Sequence, residues 1–130
     1  MPLAKPSVLF AEDEPITRRA LYGALLEMGF VVHLARDGDE GCALVDELKG
    51  NCPQLLITDI EMPGCGGEEL AQYARQHCSQ IKVLFLSGAP QPDLVKLISA
   101  DPNTSFLVKP FPPADLLAAI RKLGITPALS

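Results

Sequence analysis

Apolar runs of strand length alternate with helical segments along this chain. Residues 7–11, 30–35, 55–58, 81–86 and 105–108 are rich in β-prone apolar side chains and show no helical period. Between them, apolar residues at helical spacing follow Pro15 through Met28 and stop at Gly29; further helices are predicted at about 41–49, 68–77, 93–100 and 114–123. Parallel neighbours cannot be joined by a tight hairpin, so strict alternation predicts a parallel sheet with right-handed helical crossovers covering both faces. The expected architecture is one α/β domain over residues 7–123, with short tails at 1–6 and 124–130.

The central run, Leu55-Leu56-Ile57-Thr58, ends abruptly on Asp59, and Met62-Pro63-Gly64 then turns the chain. Asp59 should therefore sit at the carboxyl end of a buried strand, where open α/β sheets bind ligands. A structural role, capping the strand or the next helix, is the alternative that this stretch alone leaves open.

Composition narrows the function. A net charge of −5 argues against direct nucleic-acid binding, which needs a basic patch to neutralise phosphates. No run is long enough for membrane insertion, and residues 1–7 lack the apolar core of a signal peptide, so a cytoplasmic domain is expected. Cys42, Cys52, Cys65 and Cys78 lie far apart without a Cys-x-x-Cys pair, and free thiols are the expectation. The glycines match neither a dinucleotide fingerprint nor a Walker loop.

Four strand ends carry polar groups: Glu12 and Asp13, Asp59, Ser87, and Lys109. A parallel sheet brings all of them to one edge. Packed carboxylates repel each other, and a divalent cation relieves that repulsion; oxygen-only ligands select Mg²⁺, with Mn²⁺ as a substitute. His33 and His77 fall outside this edge, which leaves zinc or iron no ligand set. A carboxylate beside a hard cation, an ammonium and a hydroxyl makes a phosphoryl acceptor. Asp59 would be the nucleophile, Lys109 and the cation would offset charge on the transferring oxygens, and Ser87 would hydrogen-bond one of them. Singly, Glu12 and Asp13 can be read as helix caps, Ser87 as a turn cap and Lys109 as a structural ion-pair partner. Their convergence argues for the acceptor.

Four stretches carry a resemblance to a known family: Val8-Leu9-Phe10-Ala11-Glu12-Asp13-Glu14, Thr58-Asp59-Ile60-Glu61-Met62-Pro63-Gly64, Leu86-Ser87-Gly88-Ala89 and Phe106-Leu107-Val108-Lys109-Pro110-Phe111. Together they resemble the response-regulator receiver domain of two-component signalling, over roughly residues 7–123. The resemblance implies a flavodoxin-like (βα)5 fold with strand order 2-1-3-4-5, and Mg²⁺-dependent phosphorylation of Asp59 by a histidine kinase or histidine phosphotransfer protein. It assigns the metal to Asp13, Asp59, the backbone carbonyl of Glu61 and, through water, Glu12. Ser87 matches the switch hydroxyl and Phe106 the switch aromatic. By matching positions, Glu61 and Ala89 flank the path of hydrolytic water and tune phosphoryl lifetime.

Two departures stand out. Glu12 replaces an aspartate common in the family, and the helix expected between Pro92 and Pro102 is short. No DNA-binding or enzymatic output module is expected after Leu123, so the chain reads as a stand-alone regulator or as a receiver from a longer protein, such as a hybrid histidine kinase. It is expected to signal to a downstream protein partner and to catalyse only its own phosphorylation and dephosphorylation. Two rivals stand beside this reading. A non-phosphorylated pseudo-receiver would be a pure binding module, although such modules usually lose Asp59, Asp13 or Lys109. An aspartate-nucleophile phosphohydrolase would use Glu61 as its second acid, but no cap segment is present for a substrate.

Overall fold

A computed structural model describes residues 5–89, 92, 96 and 100–128. Five strands, β1 (Ser7–Ala11), β2 (Val31–Ala35), β3 (Leu55–Asp59), β4 (Lys82–Ser87) and β5 (Thr104–Val108), form one sheet in the order β2-β1-β3-β4-β5. Every pairing is parallel. This is the flavodoxin-like order that the resemblance implied. The described helices are α1 (Pro15–Glu27), α2 (Gly38–Glu47), α3 (Gly67–His77) and α4 (Pro113–Lys122). Most of the helix predicted at 93–100 lies outside the described residues, which include only 96 and 100 of that span.

The period-two alternation of strand side chains divides the core between the two faces. Val8, Phe10, Leu55, Ile57, Leu84 and Leu86 point to one face and pack under Leu25 of α1 and Leu116 and Ile120 of α4. Leu9, Leu56, Val83 and Phe85 point to the other, under Val45 of α2 and Leu70, Ala71 and Ala74 of α3. Central β3 is buried along its whole length, which explains its unbroken apolar run.

The structure changes several local expectations. Helix α2 begins at Gly38 rather than about residue 41, because Asp37 caps it: its Oδ1 accepts the Glu40 N–H at 2.8 Å. The tail residue Ile125 is part of the core and only 7% exposed. The reason is a Schellman closure. Gly124 adopts φ +87°, its N–H donates to the Arg121 carbonyl, and the Ile125 N–H donates back to Ile120. Helix α1 ends the same way on the same face, with Gly29 at φ +89° and Phe30 turned into the core. The expectation of four free thiols is corrected: Cys52 and Cys78 form a disulfide across a separation of 26 residues, leaving Cys42 and Cys65 free. The sheet brings the segments after α2 and after α3 to the same edge, a proximity that sequence spacing does not reveal. Among the described residues, no helix is long and apolar enough to cross a membrane.

Candidate functional site

Parallel strands bring their carboxyl ends to one edge, and four of those ends line a cleft of about 280 Å³. Glu12 and Asp13 follow β1, Asp59 ends β3, Ser87 ends β4 and Lys109 follows β5, and all five line it. Glu61 and Ala89 lie on its rim. Phe106, in the middle of β5, is not among the lining residues; it packs, half-buried, against the core on the α2/α3 face. His33 lies within β2, and His77, at the end of α3, meets the Tyr73 ring edge-on at 4.6 Å.

The centre of the cleft is an ionic triplet. Lys109 Nζ lies 2.7 Å from Asp59 Oδ1 and 2.9 Å from Glu12 Oε1. Glu12 is fully buried and Asp59 is 5% exposed. Asp59 Oδ1 is buried, and the Lys109 ammonium is its close partner among the described residues. Burial, and then the neighbouring Glu12, push the Asp59 carboxyl up to about 8 against the pull of Lys109. For Glu12 the balance reverses. Burial raises it, but donation from the Asp59 carboxyl and the Lys109 ammonium outweighs that and holds it below its usual range. Lys109 is raised for a matching reason: its two carboxylate partners outweigh its burial. The two acids and the ammonium lie too close to titrate independently.

Among the described residues, Glu12, Asp13 and Asp59 offer ligand oxygens within 4.8 Å of one another. With Lys109, the fully ionised set of three carboxylates and one ammonium sums to −2. A divalent cation would neutralise that charge. Oxygen-only donors carrying excess negative charge fit a hard ion such as Mg²⁺.

The capping alternative for Glu12 and Asp13 is not what the structure shows. The cap of α1 is Glu14, whose carboxylate accepts the Ile16 and Thr17 N–H groups at 3.1 and 2.7 Å. Glu12 and Asp13 are thus left to the cleft. Ser87 does play the turn role: its hydroxyl donates to the Ala89 carbonyl at 2.6 Å and accepts the Ala89 N–H at 3.2 Å. Sequence reasoning does not single out Arg18. From α1 its guanidinium donates to the carbonyls of Glu12 and Asp13, at 3.1 and 3.3 Å, and so holds the acidic turn in place. The available signal was its position one helical turn after Glu14, facing back over the acids.

Comparison with known proteins gives the same answer as the geometry. The family model described as the response regulator receiver domain matches residues 8–121. The chain is similar to the response regulator receiver protein CpdR of Brucella abortus, with 34% identity over 91% of this chain and 96% of that one. It is also 31% identical to the sensor kinase CckA of the same organism, over 90% of this chain but only 12% of the kinase. A solved receiver domain from the hybrid histidine kinase CckA superposes with TM-score 0.75 at 30% identity, covering 90% of this chain and 98% of that one. The polar strand ends, the strand order and these similarities agree: the chain belongs to the response regulator receiver domain family of two-component systems.

Proposed function

We propose that this receiver accepts a phosphoryl group on Asp59, from a histidine kinase or histidine phosphotransfer protein in the cytoplasm, and passes the signal to a protein partner by reshaping its surface. The observation that carries this reading is the state of Asp59. It is a buried carboxylate at the end of the central strand, 2.7 Å from the Lys109 ammonium and within 4.8 Å of ligand oxygens of Glu12 and Asp13. A single structural ion pair would not need two further carboxylates crowded beside it.

In this reading Asp59 supplies the attacking oxygen. The P–N bond of a phosphohistidine donor breaks as the P–O bond to Asp59 forms, and the imidazole leaves and is reprotonated by solvent. Lys109 already touches Asp59, so it orients the nucleophile beforehand and afterwards meets the negative charge of the transferred group. Burial favours a proton on Asp59, which must leave before attack, and Lys109 favours its loss by stabilising the ionised acid. Asp13, Asp59, the Glu61 carbonyl and, through water, Glu12 would hold Mg²⁺. When bound, that ion supplies electrostatic stabilisation to the phosphoryl oxygens. Ser87 would exchange its bond to Ala89 for a phosphoryl oxygen, with Phe106 turning inward behind it. The chain would catalyse only its own phosphorylation and dephosphorylation.

The test is intact-mass measurement after incubation with acetyl phosphate and Mg²⁺. One phosphoryl adduct is expected on the native chain and none on Asp59→Asn. No adduct on the native chain would make it a pseudo-receiver, and sustained turnover of small phosphoesters would make it a phosphohydrolase.

A further inference from the structure

The four cysteines fall into two pairs in space, and both pairs flank the α2/α3 face. Cys52 and Cys78 are bridged. Cys42, on the second turn of α2, and Cys65, in the loop between Asp59 and α3, place their sulfurs 3.5 Å apart. Both are half-buried and free. The backbone builds this approach. A Cβ on Gly38 would lie 1.6 Å from the Cys65 carbonyl oxygen, so glycine there lets the loop seat directly on the start of α2. The Cys65 N–H also reaches Asp39 Oδ1 at 3.3 Å, across the same contact. A disulfide needs about 2.05 Å between sulfurs, so side-chain rotation has to close a gap of about 1.5 Å.

We propose that Cys42 and Cys65 are a redox-responsive dithiol that closes to a disulfide by exchange with a low-molecular-weight disulfide, tying the loop after Asp59 to α2. The Cys65 thiolate attacks one sulfur of the small disulfide; a mixed disulfide forms and one small thiolate leaves. The Cys42 thiolate then attacks the Cys65 sulfur and expels the second small thiolate. The two protein protons end on the two small thiols, so the protein dithiol is oxidised by two electrons and the small disulfide is reduced by two. The order follows from position. Cys65 sits on a loop, whereas the Cys42 thiol is pushed up to about 12 by burial first and by the Cys65 sulfur second. Once Cys65 is capped, its sulfur carries no negative charge and lies within reach of Cys42, which then acts as the resolving thiol.

The consequence reaches the cleft. The tethered loop carries Glu61 from the cleft rim towards α3. The proposed bridge spans residues 42–65 and the existing one 52–78, so the two closed loops overlap along the chain and would staple the α2–β3–α3 unit at both edges of the sheet.

The test uses the full chain with oxidised glutathione, followed by thiol counting and peptide mapping without reduction. Expected results are loss of both free thiols, a linked Cys42–Cys65 peptide, and slower amide exchange in the loop around Cys65. Cys42→Ser should stop at a glutathione adduct on Cys65, and Cys65→Ser should leave Cys42 unmodified. A glutathione adduct that persists on native Cys65, a bridge from either thiol to Cys52 or Cys78, no reaction, or unchanged loop exchange would each overturn the proposal. None of these readouts involves phosphorylation of Asp59, so they stand or fall apart from the proposed function.

Discussion

The two edges of the sheet are built from the same strands and solve opposite problems. At the amino edge the chain is held by neutral groups that pair off. The Gln54 side chain accepts both the Ser7 N–H and its hydroxyl, at 2.7 and 3.1 Å. The Gln54 backbone donates to Ser7 and accepts from Lys82, drawing β1 and β4 together at the entry to β3. The Cys52–Cys78 bridge closes the same edge. At the carboxyl edge two carboxylates crowd around one ammonium, with Asp13 close by. Stability is concentrated at one edge, and chemical demand is left unmet at the other. That asymmetry can be broken or sharpened by experiment.

Replacing both Cys52 and Cys78 with Ala should cost the most. Constraining a loop of this length in the unfolded chain is worth about 3.5 kcal/mol in the chain-entropy model. Urea unfolding of the double variant measures it, and a loss below about 1 kcal/mol would show that the bridge does not distinguish the amino edge.

At the carboxyl edge a substitution should stabilise. Because the Asp59 carboxyl is raised to about 8, the native state keeps a proton that the unfolded chain releases. The contribution of Asp59 to stability is therefore complete below about pH 4 and is lost as the pH rises towards 8. A carboxamide does not titrate, so Asp59→Asn should gain about 1–3 kcal/mol near pH 8, with the gain fading towards pH 4. Denaturation curves at several pH values, without added divalent ions, check both sign and slope; a gain independent of pH would mean that packing rather than charge is responsible.

Mg²⁺ should act on one edge only. At a concentration tenfold above its dissociation constant it should stabilise the native chain by about 1.4 kcal/mol. Asp13→Ala should lose most of that increment while leaving unfolding without Mg²⁺ little changed, because the Asp13 side chain is exposed. Equal stabilisation of both chains would remove Asp13 from the ligand set.

The smallest effect expected is on phosphoryl lifetime. Glu61 lines the cleft, and its exposed carboxylate can orient hydrolytic water or repel the anionic transition state. Solvent screens the repulsion, so Glu61→Ala should lengthen the lifetime by roughly twofold, about half a kcal/mol. Ala89→Arg should also lengthen it, by obstructing access. Decay of the phosphorylated protein after donor removal measures both, and faster decay in Glu61→Ala would assign that side chain to repulsion.

The carboxyl edge was far more legible in the sequence than the amino edge. Each of these apolar runs breaks off on a polar residue at the carboxyl end of its strand, even though Asp59 and Ser87 stay buried; Asp59, Ser87 and Lys109 announce themselves in this way. Parallel topology then does the assembling, because alternation with helices admits few other arrangements. The amino edge is held by Gln54, Cys52 and Cys78, which lie in connecting segments without any period. Their partners are set by how far each crossover travels, which local pattern does not encode. Glu14 was obscured by its acidic neighbours, since three consecutive acids leave open which one caps the helix. Ile125 was hidden behind Gly124, because a glycine marks where a helix stops but not where the chain goes next.

The hydroxyl of Ser87 is already spoken for at rest, by two bonds to the backbone of Ala89. A newcomer must outbid both, and a neutral acceptor offers little more than what is given up, since a typical hydrogen bond nets only about 1 kcal/mol. A doubly charged oxygen cluster can do so, because bonds to charged acceptors are roughly twice as strong. In the proposed function the arrangement would work as a threshold filter: water would leave the latch shut, and a charged acceptor held in the cleft would lift it. Since both bonds run to main-chain atoms, the latch is indifferent to the side chain at position 89. That position is free to vary for the sake of timing without altering what trips the switch.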